Sequence, residues 1–249
     1  MARLPELAAA LVNSKVDVIV AVLTPAVFAA KNATRDIPIV MAPAGDPVAT
    51  GLVASLGRPG GNLTGVSSTG VESGAKNLEL IRDALPSATR VAVLANATDQ
   101  FTRGFVEGLE QGAQLLRMVL HIHMVRGGGD LEPALAAMVQ EHAQAVIFFQ
   151  VSLTTKEAIE LALKHKLPTF SQVKTAAAAG ALVSFNASYV ERARVIAAYV
   201  DKILKGAKPG DLPVQQPTRY EITINLKTAK ALGLTIPPTL LARADEVIE

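Results

Sequence analysis

Two polar residue–proline steps stand where side chains could hold a ligand: Thr24-Pro25 and Asp46-Pro47. Each follows an apolar run of strand type, residues 16–23 and 37–41. Strand, polar loop and then helix is how an open α/β sheet offers groups at the carboxyl ends of its strands. Asp46 supplies a carboxylate that could receive an ammonium. The same residue before a helix-opening proline also reads as an ordinary N-cap. Thr24 supplies a hydroxyl beside helix N–H groups, which suits a ligand carboxylate and equally suits capping. Further along, Asn96, Gln150, Ser152, Ser171 and Gln172 fall just beyond predicted strands. All are neutral hydrogen-bonding groups, and their common placement fits a polar organic solute or zwitterion.

Reactive chemistry finds less support. Of the four histidines, His121 and His123 share one strand face at period two, and no third ligand stands at a metal spacing. No GxSxG elbow is present. Pro59-Gly60-Gly61-Asn62 matches neither phosphate-loop pattern and precedes a strand, so a tight turn accounts for it. No catalytic residue, metal site or cofactor is assigned, and an α/β enzyme is the weaker alternative.

These side chains need a scaffold, and 249 residues allow one large or two small domains. Hydrophobic residues make up 50%, which rules out a disordered chain. The 24 basic and 22 acidic residues are interspersed and give a net charge of +2, so no basic stripe calls for nucleic acid. Cysteine is absent, which removes disulfides and thiol chemistry. No apolar run reaches the roughly 18 residues of a membrane span. The first residues are interrupted by Pro5, Glu6, Asn13, Lys15 and Asp17, so they read as an amphipathic helix and not as a signal peptide.

Apolar runs at 16–23, 37–41, 63–66, 91–94, 119–125, 145–149, 168–170, 181–185 and 220–224 alternate with helical patterns. That rhythm predicts βαβ units, parallel sheets and helices on both faces. A short helix is expected after Asp46-Pro47. A Gly/Ser/Thr break at 69–73 separates two Rossmann-like lobes, and 181–185 and 220–224 are read as crossings between them. The expected division is 1–68 plus about 187–217 for lobe I, and 69–186 plus about 218–249 with the crossing segments for lobe II.

Four blocks carry a family resemblance: VDVIVAVLTPAVFAAKNATRDIPIVM, GDPVATGLVASLGRPGGNLTGVSS, LELIRDALPSATRVAVLAN and the stretch from AAYVDKILKGAKPGD to LLARADEVI. The chain resembles the ABC-transporter substrate-binding proteins that include aromatic amino-acid binders, with the type I periplasmic-binding-protein fold. The resemblance implies two lobes, a solute held between them by hinge closure, a membrane permease as partner, and a periplasmic or membrane-anchored exterior location. It places Thr24 and Asp46 on the first wall, where Pro25 is a candidate as Thr24's neighbour, and Ser67 and Ser68 near the first crossing. Asn96, Gln150, Ser171 and Asn186 fall on the opposite wall, and Ser152 and Gln172 join the candidates from their place just beyond the strands. Phe185 and Phe149 are the expected apolar contacts. The family's leader and first βαβ unit have no counterpart here, so lobe I is expected to hold an incomplete sheet whose edge invites a homodimer. The chain departs from the family pattern at Leu23, Gly45 and Phe185-Asn186. A ligand-sensing domain of the same fold is the alternative.

Overall fold

The computed structural model describes residues 3–68, 70–149 and 156–249. The chain opens with α1 (Leu4–Asn13), β1 (Ile19–Ala21), α2 (Thr24–Ala33), β2 (Ile39–Gly45) and β3 (Leu63–Ser68). Alternation continues through α3 (Gly70–Ala84), β4 (Arg90–Asn96), α4 (Thr102–Leu116), β5 (Val119–Val125) and α5 (Leu131–Gln140). Next come β6 (Ala145–Phe148), α6 (Lys156–Lys164), β7 (Thr169–Ser171), α7 (Lys174–Ala178) and β8 (Val183–Ala187). The last stretch holds α8 (Tyr189–Leu204), β9 (Tyr220–Asn225), α9 (Leu226–Ala231), α10 (Pro238–Leu241) and β10 (Glu246–Ile248). Two compact units result: Met1–Gly70, Asp99–Phe101 and Ser188–Arg219 form the first, and Val71–Thr98, Thr102–Ala187 and Tyr220–Glu249 the second. Among the described residues no helix is long and apolar enough to cross a membrane.

In the first unit three parallel strands lie in the order β1-β2-β3. β2 is central and buried along nearly its whole length, as an unbroken apolar run requires. Ile39 and Met41 pack with Val27 and Ala30 of α2, while Val40 meets Tyr199 and Ile203 of α8. Gly65 sits at φ +133°, and a Cβ there would stand 2.4 Å from the Met41 backbone, so only glycine allows β3 this close to β2. β1 covers three residues where the apolar run suggested eight. Beyond it Val22 is exposed, and β1 forms an edge of this sheet.

Seven strands in the order β10-β9-β8-β7-β6-β4-β5 make the sheet of the second unit. All neighbours run parallel except β8 and β9. One face carries Leu94 and Phe148 against Leu135, Met138 and Ile159, from β4, β6, α5 and α6. The α/β character and parallel strands agree with the sequence rhythm. Three details correct it. Residues 181–185 and 220–224 are not crossings: they fall in β8 and β9, an antiparallel pair within this sheet. Their apolar side chains Val183, Ile222 and Ile224 are buried, which an interior strand position explains and a surface connection would not. The alanine-rich stretch at 175–180, which reads in the sequence as a low-complexity tract, supplies most of α7. β10 is a three-residue strand with little apolar content, too short to announce itself.

Candidate functional site

At the carboxyl end of β2, Asp46 has φ 27°, and its carboxylate accepts a hydrogen bond from the Ala49 N–H at 3.0 Å. The Thr50 N–H reaches back to the Asp46 carbonyl at 2.9 Å, and Gly51 follows at φ 73°. The helix expected after Asp46-Pro47 is therefore a single turn, broken by the left-handed glycine. Thr24 also departs from the sequence reading. It is the first residue of α2, not its cap, and Leu23 precedes it at φ 70°. Its buried Oγ1 accepts the Gly45 N–H at 2.9 Å, tying the start of α2 to the end of β2. Pro25 continues that first turn.

Ser67 and Ser68 end β3 beside this turn, and Ser68 lies opposite Gly45. The Ser67 N–H donates to the Gln215 carbonyl at 2.9 Å. Its side chain is 1% exposed, and its Oγ finds no hydrogen-bond partner among the described residues. Phe101 joins this unit as well. Its buried ring lies against Gly45, and its N–H donates to Asp99 Oδ1 at 2.8 Å. Nothing in the sequence marked Phe101, because it lies far along the chain from Gly45.

Strand register sorts the candidates of the second unit onto the two faces of its sheet. Successive side chains alternate and in-register neighbours share a face. Phe148, Ser171, Ser184 and Thr223 therefore form one row across four strands. Asn186 and Glu221 form the next, directly opposite one another. α7 covers this face: Ala176 packs in the same core as Phe148, and the Ala177 carbonyl accepts from Asn225 Nδ2 at 2.8 Å. Lys174, at the start of α7, places its ammonium 3.2 Å from Glu221 Oε2. Ser171 Oγ accepts the Val173 N–H at 3.2 Å. Ser184 Oγ and Asn186 Oδ1 are buried with no partner among the described residues, although Asn186 Nδ2 donates to the Ala187 carbonyl.

Gln172 and Phe185 point to the other face. Gln172 Nε2 donates to Ser73 Oγ at 3.1 Å, and Phe185 stacks on Tyr220 with ring centroids 5.0 Å apart. Asn96 spends its Oδ1 on Thr98, accepting both the N–H and the hydroxyl at 2.8 Å. Phe149 stacks on Phe105 at 3.6 Å and is 3% exposed, so its ring is a core group and not the apolar ligand contact expected of it. Gln150 and Ser152 lie outside the described residues. The sequence reading missed Ser184, Tyr220, Glu221 and Lys174. Tyr220 and Glu221 come to this end of the sheet only because β9 runs antiparallel to β8, which no local pattern reveals.

His121 and His123, which the sequence reads as solvent-exposed strand positions, are half-buried. Both bracket one Glu141 oxygen, at 3.3 and 2.9 Å, with side chains 26% and 15% exposed. Among the described residues no group of three or more His, Cys, Asp or Glu could hold a metal ion.

A family model described as ABC transporter substrate binding protein matches residues 2–248. A tyrosine-binding protein of Clostridioides difficile is 30% identical over 234 residues, 92% of this chain and 66% of that protein. The chain thus spans slightly under two thirds of that relative's length. Among solved structures, a conserved domain protein of Vibrio cholerae superposes with a TM-score of 0.92 at 30% identity, over 99% of this chain and 83% of that one. An ABC domain from Streptococcus pneumonia in complex with L-Trp gives 0.92 at 26% identity, over 99% and 86%. The fold is that of type I periplasmic binding proteins.

Proposed function

The chain belongs to the ABC transporter substrate-binding protein family, and from that premise we propose that it captures an aromatic amino acid for import. Similarity to a tyrosine-binding protein and to a domain that binds L-Trp supports the aromatic class. The observation that carries the reading is a pair of buried, unpartnered polar atoms. Ser67 Oγ ends a strand in one unit and Asn186 Oδ1 ends a strand in the other. A buried acceptor or hydroxyl without a partner costs about 1–3 kcal/mol. Folded chains keep few such groups, and a ligand that completes their hydrogen bonds recovers that cost on binding.

The proposed contacts are Thr24, Pro25, Asp46, Ser67 and Ser68 in the first unit, and Asn96, Ser171, Gln172, Phe185 and Asn186 in the second. Gln150 and Ser152 complete the set. Thr24 and Asn96 act chiefly by shaping the loops they bond. The solute is released unchanged to a membrane permease on the outer side of the cytoplasmic membrane, and no bond is made or broken.

Thermal denaturation against the twenty amino acids and a panel of sugars, with calorimetry of each hit, tests this reading. A ligand at a hundredfold excess over its Kd stabilises the fold by about 2.7 kcal/mol. The expected result is a clear shift with tryptophan, tyrosine or phenylalanine. A shift confined to sugars would overturn it.

A further inference from the structure

We propose that Glu221 and Asn186 form an ammonium-binding subsite, held in the solute-free protein by the Lys174 side chain. The proposal rests on the amino-acid reading above and names how the α-amino group is recognised. Asn186 and Glu221 are directly opposed on antiparallel β8 and β9, so their side chains leave the same face as close neighbours. Asn186 is 4% exposed, and its Oδ1 has no donor among the described residues. One step further in, the Ser184 hydroxyl is fully buried in the same condition. The Glu221 side chain is only 15% exposed. This place is rich in acceptors, and its buried Asn186 Oδ1 and Ser184 Oγ lack a donor that a compact cation with several N–H groups would supply. An alkylammonium has three such donors.

Lys174 shows that a primary ammonium fits. Its amine already stands 3.2 Å from Glu221 Oε2, while its side chain is 42% exposed and arrives from outside the face. It therefore partners Glu221 without reaching the buried Asn186 oxygen through any contact seen here. An incoming α-ammonium takes Glu221 and the Asn186 Oδ1 together. The displaced Lys174 is then left beside the solute's carboxylate, so the zwitterion exchanges one ion pair for two. A solute with a carboxylate alone would meet Glu221 with like charge and leave Asn186 Oδ1 unpartnered. That is a basis for rejecting deaminated analogues, because a site built around a polar group discriminates strongly against ligands lacking it.

Calorimetry on the full chain tests this with three probes: L-tyrosine, 3-(4-hydroxyphenyl)propionate, which lacks the ammonium, and tyramine, which lacks the carboxylate. The wild-type protein should prefer tyrosine over the propionate by about a hundredfold or more. E221Q keeps the shape and removes the charge. It should weaken tyrosine about ten- to a hundredfold, the range of one charge-assisted hydrogen bond, and leave the propionate unchanged or tighter. K174M should weaken tyrosine relative to tyramine, which should bind more tightly once Lys174 no longer competes for Glu221. If E221Q melts without cooperativity, K174M and N186A carry the test with the same probes, N186A behaving as E221Q does. Undiminished discrimination in a folded E221Q would overturn the subsite and leave the amino-acid reading standing. Failure of the wild-type protein to bind tyrosine, tryptophan or phenylalanine would overturn both.

Discussion

The ring of Phe101 rests on the backbone of Gly45: a Cβ placed at residue 45 would stand 2.2 Å from both Cγ and Cδ1 of the ring. This glycine is demanded by a close approach and not by a left-handed turn. Gly45 ends β2 immediately before Asp46, and its N–H is held by Thr24. A single backbone position therefore connects the start of α2, the Asp46 turn and the Phe101 ring. The side chain at 45 decides whether that ring can sit there.

Gly45→Ala should destabilise the protein by about 1–3 kcal/mol, the usual cost of forcing atoms into a filled space. The same change in a Phe101→Ala background should cost much less, since the clash is gone. Urea unfolding of the four proteins measures the coupling. Equal costs in the two backgrounds would show that the ring does not rest on Gly45.

Thr24→Val keeps the shape of a buried side chain and deletes the acceptor of the Gly45 N–H. The orphaned donor should lower stability by about 1–3 kcal/mol. Thr24→Ser should retain most of it. Chemical denaturation of the pair separates the hydrogen bond from the packing, and hydrogen exchange at the Gly45 amide should quicken in the valine variant alone.

What was legible in the sequence follows from the physics of each signal. The continuous apolar runs at β2, β4 and β6 gave the parallel sheets, because strands covered on both faces leave no polar alternation. Ser67 and Asn186 could be placed at strand ends because each follows an apolar run directly, and Asp46 because it stands in the polar turn just beyond one. Glu221 could not, since it begins β9, and only the antiparallel pairing with β8 brings it opposite Asn186. Phe101 was equally hidden, because a contact with Gly45 across more than fifty residues leaves no periodic trace. Phe149 misled because an aromatic residue ending a strand looks the same whether it faces a ligand or stacks on Phe105.

Tyr199 gives a prediction in alkaline solution. Burial raises its hydroxyl above the ordinary value of 10.0, with a smaller opposing effect from Gln215. The unfolded chain then loses this proton first as pH rises, so it binds fewer protons than the folded one above pH 10. Stability must fall with pH from there until the folded tyrosine also ionises. Tyr199→Phe should flatten that part of the decline. Near neutrality it should cost about 1 kcal/mol for the hydrogen bond lost to the Pro213 carbonyl. Unfolding midpoints at pH 8 to 11 for both proteins check the sign, and parallel curves would contradict it.

Ser67 separates stability from binding. Its Oγ is buried and without a partner among the described residues, so in the solute-free protein the hydroxyl carries a desolvation cost with nothing gained. Removing a buried polar atom that makes no hydrogen bond is neutral or stabilising, in contrast to removing one that does. Ser67→Ala should therefore melt at the same temperature as the wild-type protein or slightly higher. If the hydroxyl is held for a solute, the same variant should bind that solute about tenfold more weakly, the worth of one hydrogen bond near 1.4 kcal/mol. Calorimetry and thermal unfolding on one preparation give both numbers. A loss of stability would mean that the hydroxyl already has a structural partner. Unchanged stability with unchanged affinity would remove Ser67 from the binding wall.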